Sequence, residues 1–370
     1  MKSESFDDST DTFGRHLRDL RISVTDRCNF RCPYCMPSEV YGERYEFLPK
    51  TEILSFEEIV RFARLFTRLG VRKIRLTGGE PLLRVDLPQL IESLAALDGI
   101  EDIALTTNGY LLADQAQSLK DAGLTRITVS FDSIDENVYK TMNGRDFGTE
   151  RVLSGISAAQ EVGLAPIKIN SVVQKGVNDH TMVELASHFK GTGHIVRFIE
   201  FMDVGTVNAW DASNVVSASK IAQAINNKFP ITRAEPSYPG EVATRWLYND
   251  GSGEIGIISS VSEPFCGDCT RARLSTDGQL VTCLFAAGGK DLKSPLRSGA
   301  SDTELLELIT GIWTSRRDRY SELRAFEAGQ HIPTQEKDVQ APRVTGAPMP
   351  KGIKKLRDKK AKIEMYQIGG

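Results

Sequence analysis

The chain contains six cysteines, which fall into two groups of three. The first group has the pattern CxxxCxxC directly after an apolar segment, and the second lies nearer the C-terminus: Cys28, Cys32 and Cys35, then Cys266, Cys269 and Cys283. Soft thiolates bind zinc, copper(I) or iron–sulfur clusters. A four-iron cluster takes four thiolates, so a group of three leaves one iron for another ligand. Each group therefore predicts a metal site that also binds something besides cysteine.

The second group is not a typical zinc site. A zinc ribbon normally completes its ligands with a fourth Cys or His, yet no His occurs between residues 195 and 330. A disulfide framework is typical of short secreted chains, and this chain has 370 residues and an acidic, polar start. Two metal clusters are therefore favoured over structural thiols or zinc.

Other residues have types suited to ligand contact. Gly78 and Gly79 at a predicted strand end let the backbone approach a ligand, and Glu80 could accept hydrogen bonds from an ammonium group. Four arginines have the forked donors that suit a triphosphate: Arg21, Arg75, Arg271 and Arg273. The chain has no GxxxxGK[ST] loop, so a nucleotide would be bound as a substrate and not as an energy source.

Positioning these residues requires a scaffold, and the hydrophobic pattern predicts alternating strands and helices. A strand at RISVT precedes the first cysteines, and further strands are predicted at residues 73–77, 102–107, 126–131, 166–173 and 195–201. Helices are predicted at residues 56–69, 87–97, 111–122, 150–162 and 180–189. Six such units imply parallel strands with crossover helices, which predicts an α/β fold with a partial (β/α)6 barrel of TIM type. Ligands of such sheets bind beyond the C-terminal strand ends, where most of the residues above lie.

After residue 205 the alternation stops. A helix is predicted at residues 219–229, short strands at 243–248 and 254–260, a hairpin turning at Asp277-Gly278, and a last helix at 302–313. We expect a barrel over residues 17–215, a C-terminal cluster-binding region over 216–325, and a basic linker with a Gly-Gly tail over 326–370. Residues 1–16 are polar and are predicted to be disordered.

Charge and hydropathy exclude some classes of function. The formal net charge of −3 at pH 7 gives no general support for nucleic-acid binding. No apolar run approaches the roughly 20 residues of a membrane-spanning helix. We therefore expect a cytoplasmic protein with no nucleic-acid partner and no membrane partner.

The CxxxCxxC motif, with Tyr34 before its last cysteine, resembles the signature of radical S-adenosylmethionine enzymes, and the resemblance covers the predicted barrel. It implies a 4Fe–4S cluster whose open iron binds S-adenosylmethionine and whose electron releases a 5′-deoxyadenosyl radical. Positions implied to contact this cofactor are Tyr34, Gly79, Ser130 and Met202.

The second cysteine group and the terminal Ile368-Gly369-Gly370 extend the resemblance over nearly the whole chain, to the GTP 3′,8-cyclases of molybdenum cofactor biosynthesis. This family resemblance implies a second 4Fe–4S cluster facing the guanine of GTP, and a tail that enters the site near Arg21. Arg21 and the first three cysteines are implied to be catalytic. Implied GTP contacts are Arg21, Arg75, Thr106, Lys168, Arg271, Ala272 and Arg273. The basic linker before the tail is longer than we expect for the family.

The resemblance further implies the reaction and its partners. The adenosyl radical would take hydrogen from C3′ of GTP, and the sugar radical would attack C8, giving (8S)-3′,8-cyclo-7,8-dihydroguanosine 5′-triphosphate. A reductant protein would supply electrons, a cyclic pyranopterin monophosphate synthase would receive the product, and the enzyme would be a monomer or homodimer. Two alternatives remain at this point: a radical S-adenosylmethionine enzyme that modifies peptides, and a zinc-stabilised binding module.

Overall fold

The structure is a computed structural model that describes residues 9–238, 240–327 and 362–369. Its strands are β1 Asp19–Ser23, β2 Lys73–Thr77, β3 Asp102–Thr107, β4 Arg126–Ser130, β5 Lys168–Val173, β6 Ile195–Glu200, β7 Ile231–Arg233, β8 Thr244–Tyr248, β9 Glu254–Ile258, β10 Arg271–Leu274, β11 Gln279–Val281 and β12 Lys290–Asp291. Its α-helices are α1 Phe56–Thr67, α2 Leu87–Ala95, α3 Leu112–Asp121, α4 Glu136–Asn143, α5 Glu150–Glu161, α6 Met182–Phe189, α7 Ala218–Lys228, α8 Lys293–Arg297, α9 Asp302–Thr314, α10 Tyr320–Glu327 and α11 Met365–Ile368.

The described strands form one sheet in the order β12-β11-β10-β1-β2-β3-β4-β5-β6-β9-β8-β7. The run from β10 through β1 to β6 and on to β9 is parallel throughout. The outer strands at both edges are antiparallel. The predicted α/β class with a partial barrel is therefore confirmed, and two parallel strands from the C-terminal region extend it.

Alternation along the central strands separates a core face from a lumen face. In β1, Leu20 and Ile22 are fully buried in the hydrophobic core, and Arg21 lies between them on the opposite face. In β2, Ile74 and Leu76 occupy the same core, with Arg75 between them. Parallel strands that are buried on both faces usually have continuous apolar sequences. Alternating charges in these central strands therefore indicate a polar lumen.

Local signals explain where the helices begin. Helix α1 starts at a capping box, in which Ser55 accepts from the Glu58 backbone N–H and the Glu58 carboxylate accepts from the Ser55 N–H. Helix α9 has the same arrangement between Ser301 and Glu304. Among the described residues, no helix is long and apolar enough to cross a membrane.

The C-terminal region is joined to the barrel by a buried carboxylate. Glu200, at the end of β6, is fully buried and accepts hydrogen bonds from the backbone N–H groups of Ala218 at 2.7 Å, Val261 at 2.8 Å and Ser262 at 2.8 Å. One side chain thus fixes the start of α7 and the loop after β9 to the last barrel strand. The division at residue 215 stays a prediction.

The N-terminal segment differs from the prediction of disorder over residues 9–16. Thr10 pairs with His16 in an isolated bridge, and the buried Asp11 binds the buried Arg15 at 2.6 Å. An ion pair of this kind, buried by distant parts of the chain, cannot be recognised from a local excess of Asp, Ser and Thr. The remaining residues 1–8, most of the basic linker and Gly370 lie outside the described residues.

Candidate active site

The first cysteine group lies on a loop after β1 that a buried arginine holds in place. The Arg31 guanidinium donates to the carbonyl of Tyr41 at 2.6 Å and to those of Cys28 and Phe30 at 2.7 Å. The Phe30 N–H points at the Cys28 sulfur at 3.4 Å. N–H donors of this kind stabilise thiolate sulfur and its metal. Sequence reasoning missed Arg31 because the hydrogen bonds of its side chain are all to backbone carbonyls.

The GGEP segment supports this loop from the end of β2. The Gly79 N–H donates to the Thr25 carbonyl at 2.8 Å, and the Glu80 N–H donates to the Arg27 carbonyl at 2.7 Å. A Cβ at Gly79 would overlap the Arg27 carbonyl oxygen. Gly79 is therefore required for close packing against the cysteine loop, and any contact with a cofactor would come through its backbone.

That Glu80 accepts hydrogen bonds from an ammonium group stays a prediction, and the structure shows which protein donors this carboxylate already has. Its carboxylate is buried and accepts from Leu82 N–H at 3.0 Å, Thr107 Oγ1 at 2.7 Å and Asn108 N–H at 2.7 Å. Burial raises the pKa of Glu80 to about 7. Glu80 thus connects the GGEP segment to the end of β3, because Thr107 and Asn108 donate to it from there while Leu82 donates from its own segment.

The variant Gly79→Ala is expected to lose the iron of the first group. The added methyl must displace the Arg27 carbonyl next to Cys28, since strained backbone cannot relax in a packed core. Iron analysis should give roughly four atoms per chain in place of roughly eight. Gly311→Ala is the matched control, because Gly311 lies in α9 and an added Cβ meets nothing within 4 Å. Full iron content in Gly79→Ala would contradict this role.

Three further predicted cofactor contacts lie in different parts of the structure. The buried Tyr34 donates its hydroxyl to Asp132 Oδ2 at 2.8 Å, while Asp132 Oδ1 accepts the Val172 N–H at 2.8 Å. Burial raises the pKa of Asp132 to about 6. Ser130 is half-buried at the end of β4, and Met202 lines the central cavity. Sequence reasoning missed Asp132, which fixes the Tyr34 side chain to β5.

The second cysteine group is surrounded by guanidinium groups. Cys266 and Cys269 lie on a tight turn directly before β10. The Cys269 sulfur receives Arg316 Nη2 at 3.2 Å and Arg271 Nη2 at 3.5 Å. Although burial acts in the opposite direction, these two cations lower the pKa of Cys269 to about 6. By contrast, burial raises the pKa of Cys28 to about 12.

Both groups fit an iron–sulfur cluster by their donor chemistry. All six cysteines are free, and each group includes a sulfur that receives N–H donors. Among the residues that the structure describes, no three Cys, His, Asp or Glu side chains are arranged around a single metal ion. A four-iron cluster does not need that arrangement, because each of its cysteines binds a different iron.

The barrel lumen is a cavity of about 1740 Å³, a volume that includes its open mouth. The second cysteine group and most of the predicted GTP contacts line it: Arg21, Arg75, Thr106, Lys168, Arg271, Arg273, Cys266, Cys269 and Cys283. Arg21 pairs in register with Arg273 on one side and with Arg75 on the other, so three arginines form a row across β10, β1 and β2. Ala272 is buried opposite Leu20, so it could contact a ligand only through its backbone.

The lumen holds more cations than the sequence analysis named. Lys73, Arg126 and Arg197 line the same cavity, and Arg197 Nε donates to Asn170 Oδ1 at 2.9 Å. The signal that could have found them is the one in Arg21 and Arg75: charges alternating with apolar residues in central strands. Three lumen cations are thus held by β2, β4 and β6 in addition to those predicted.

Burial and mutual repulsion perturb these cations. Burial, and then Arg273 and Arg75, lowers the pKa of Arg21. Burial, with Arg197 as the next cause, lowers the pKa of Lys168 to about 8. Burial likewise lowers the pKa of Arg197 to about 9, with Arg75 contributing. A buried excess of positive charge is costly unless an anion compensates it, so the charge of the lumen would suit an anionic ligand.

The C-terminal segment 362–369 begins beside the loop that follows β6. Lys362 Nζ donates to Asp203 Oδ2 at 3.0 Å and contacts the Tyr320 hydroxyl at 2.8 Å. The Glu364 carboxylate accepts from the Thr206 N–H at 2.8 Å. These contacts fix the start of the segment beside Met202.

The same segment ends beside the arginine row, at Arg273. Tyr366 packs edge-on against Tyr41, with ring centroids 5.1 Å apart, in a cluster that touches the first cysteine group. Arg273 donates to the carbonyl of Gly369. Because Arg273 is paired in register with Arg21, the structure places the segment next to Arg21, as the sequence analysis expected.

Comparisons with known proteins agree with this architecture. Residues 22–189 match the family model of the radical SAM superfamily, and residues 194–322 match the model described as Molybdenum Cofactor Synthesis C. A GTP 3′,8-cyclase of Acidothermus cellulolyticus is 52% identical over 365 residues, which cover 97% of this chain and 98% of that protein. GTP 3′,8-cyclases of Staphylococcus saprophyticus and Xanthomonas axonopodis pv. citri are each 51% identical, covering 85% of this chain and 93% of the relative.

A partial βα barrel with CxxxCxxC after its first strand, matched by the first of these models, defines a radical S-adenosylmethionine enzyme. The second cysteine group and the arginine row narrow the class further. With relatives about half identical over most of their length, the chain belongs to the GTP 3′,8-cyclase family. The relatives support neither the peptide-modifying enzyme nor the zinc-stabilised module. The Acidothermus relative matches nearly the full length, so a family member of similar size exists.

Proposed function

We propose that this chain converts GTP to (8S)-3′,8-cyclo-7,8-dihydroguanosine 5′-triphosphate, the first step of molybdenum cofactor biosynthesis. Its cofactors are S-adenosylmethionine and two 4Fe–4S clusters, held by the first and second cysteine groups. The observation that carries the proposal is that one lumen contains both the second cysteine group and a buried row of arginines. Such a lumen suits a ligand with a base at one end and several phosphates at the other.

Each side of the lumen has a separate role in this proposal. Cys28, Cys32 and Cys35 would hold the cluster that, when bound and reduced, would supply an electron for the reductive cleavage of S-adenosylmethionine. Tyr34, Gly79, Ser130 and Met202 surround the position proposed for that cofactor. Arg21, Arg75, Arg273 and Lys168 bind the triphosphate, and Thr106 lies beside Arg75, whose Nη1 donates to the Thr106 hydroxyl at 3.0 Å. Burial of these donors excludes water from the reacting sugar.

The test is incubation of anaerobically reconstituted protein with reductant, S-adenosylmethionine and GTP. We expect 5′-deoxyadenosine and the cyclised nucleotide in equal amounts. Formation of 5′-deoxyadenosine with unchanged GTP would refute the proposal and favour another radical substrate. A colourless protein that contains zinc and no iron would refute both the conversion of GTP and any other radical S-adenosylmethionine reaction.

The lowered pKa of Lys168 in the lumen predicts that the use of GTP depends on pH. Lys168 has its pKa lowered to about 8, so its ammonium is charged below that pH and neutral above it. Loss of one charged contact to the triphosphate should lower kcat/KM for GTP roughly tenfold as pH rises through about 8. The variant Lys168→Arg should move this step to higher pH, because an arginine in this lumen keeps its charge further into alkaline pH, as Arg197 does with a pKa of about 9. An identical step in both proteins would assign it to another group.

Partners and location complete the proposal. Free cysteines throughout the described chain are consistent with a reducing, cytoplasmic location. A reductant protein supplies electrons, and a cyclic pyranopterin monophosphate synthase receives the product. We propose a monomer or homodimer, which size-exclusion chromatography with light scattering would distinguish.

A further inference from the structure

Two buried arginines outside the predicted site lie against the second cysteine group. Arg316 donates from Nη1 to the Cys269 carbonyl at 2.8 Å and from Nη2 to the Cys269 sulfur at 3.2 Å. Arg15 donates from Nη1 to the Cys266 carbonyl at 2.8 Å and to the Asp318 carbonyl at 2.9 Å. Both side chains are 2% exposed. Each arginine therefore contacts the turn that carries two of the three cysteines.

The second amino group of Arg15 is not used inside the protein. Arg15 Nη2 is buried and has no hydrogen-bond partner among the described residues, although Arg15 lines the same cavity as the three cysteines. A buried donor without an acceptor costs roughly 1–3 kcal/mol. A donor retained in this position indicates an acceptor that belongs to a bound group, such as a cluster sulfide.

Carboxylates fix both guanidinium groups from the other side. Asp11 Oδ2 binds Arg15 Nε at 2.6 Å and lies 3.5 Å from Arg316 Nη1. Asp318 Oδ2 lies 3.4 Å from Arg316 Nε. Arg316 also stacks over the Trp313 ring, 4.7 Å from its centroid. Because the carboxylates hold both Nε groups, Nη2 of each arginine is left for the cysteine side.

The first cysteine group differs in how charges meet its sulfurs. Its sulfurs receive no guanidinium hydrogen bond within the described chain, because the nearby Arg31 donates to backbone carbonyls. Two buried carboxylates, Glu80 and Asp132, act on Cys28 and Cys32. Reduction adds one negative charge to a 4Fe–4S cluster. Nearby cations and N–H donors to sulfur stabilise the reduced state, whereas buried carboxylates destabilise it.

We propose that Arg15 and Arg316 are positioning residues that make the second cluster more easily reduced than the first. The inference rests on the proposed function only in that each cysteine group holds a 4Fe–4S cluster. It assigns a role to the segment 11–15, which the sequence pattern placed in a disordered terminus. It also separates two clusters with identical cysteine ligands by the charges around them.

The test is a redox titration followed by electron paramagnetic resonance, on GTP-free holoenzyme with dithionite and mediators. A variant with Cys28, Cys32 and Cys35 replaced by Ala assigns the signal of the second cluster. In the unsubstituted protein the second cluster should be reduced at the higher potential. In Arg316→Gln and Arg15→Gln, the ratio of reduced to oxidised second cluster at a fixed potential should fall about tenfold, which is about 59 mV for one electron. The first cluster should not change.

Two further variants keep the result decisive. Arg316→Lys retains the charge but loses the forked donors, so the potential of its second cluster should shift less than in Arg316→Gln. If Arg316→Gln loses iron, Arg316→Lys is measured in its place. Arg197→Gln, a buried lumen arginine that contacts Asn170, should shift neither cluster. Equal potentials in the unsubstituted protein, or an unchanged second cluster in the Arg15 and Arg316 variants, would overturn the proposal. Failure to convert GTP with these shifts present would instead refute the proposed function alone.

Discussion

Arg273→Ala is expected to lower kcat/KM for GTP on the order of 10³-fold while the protein keeps both clusters. Truncating one partner of a buried charged contact costs roughly 2–5 kcal/mol, and about 4 kcal/mol corresponds to this factor. Arg273 is 5% exposed and stands beside Arg21 in the arginine row. It also donates to the Gly369 carbonyl, so its loss removes a proposed substrate contact and the contact that ends the C-terminal segment.

Iron analysis and steady-state kinetics together check this result. Roughly eight iron atoms per chain with a large loss in kcat/KM for GTP is the expected outcome. Arg151→Ala is the matched control, because Arg151 is 54% exposed, contacts Asp114 at 3.4 Å and the Tyr110 ring at 4.8 Å, and does not line the lumen. If Arg273→Ala lost roughly four iron atoms, its role would be to support the second cysteine group and not to bind GTP.

Gly369→Ala is expected to reduce turnover about 100-fold with little change in iron content or folding stability. Gly369 has a φ of 65°, which a residue with a Cβ adopts only at a cost. An added Cβ would also overlap the Thr77 side chain at the end of β2. The segment must then withdraw from Arg273, and a misplacement of about 1 Å in a positioned site can cost this factor.

A second substitution tests the steric cause. Thr77→Ala removes the two Thr77 atoms that a methyl group added at Gly369 would meet most closely, so the double variant should recover part of the lost turnover. The single variant Thr77→Ala serves as the reference. Turnover equal in Gly369→Ala and the double variant would mean that Thr77 is not the obstacle, and unchanged turnover in Gly369→Ala would remove the segment from the site.

The hydrophobic periodicity of the sequence was sufficient to predict the barrel. The predicted spans of β2 and β3 agree with the observed ones to the residue, because alternating apolar residues in β2 and a short apolar run in β3 lie between clear breaks. Helix α4 was missed, since Val138, Tyr139 and Met142 form too short an apolar stripe to indicate a helix. Its start depends on Asp135, which accepts from the N–H groups of residues 137 and 138.

The pairing of strands that are far apart in the chain could not be predicted from the sequence. The strand-like segments before and after the second cysteine group were recognised, but nothing local indicates that β9 joins β6 and β10 joins β1. The same limit applies to the site. The cysteines follow from spacing, whereas Arg15 and Arg316 acquire meaning only when residues 11–15 and 316–318 meet the turn at Cys266.

The pairing of β1 with β10 has a consequence for the order in which the enzyme is made. Thr270 donates to the Asp19 carboxylate across 251 positions of the chain, and Arg21 gains its neighbour Arg273 at the same time. Chains are synthesised from the N-terminus, and distant contacts form late. The loop of the first cysteine group therefore leaves the ribosome long before the arginine row can exist. A nascent or truncated chain could acquire its first cluster but could not hold GTP, so ribosome-bound fragments that end before residue 270 should contain iron and remain inactive.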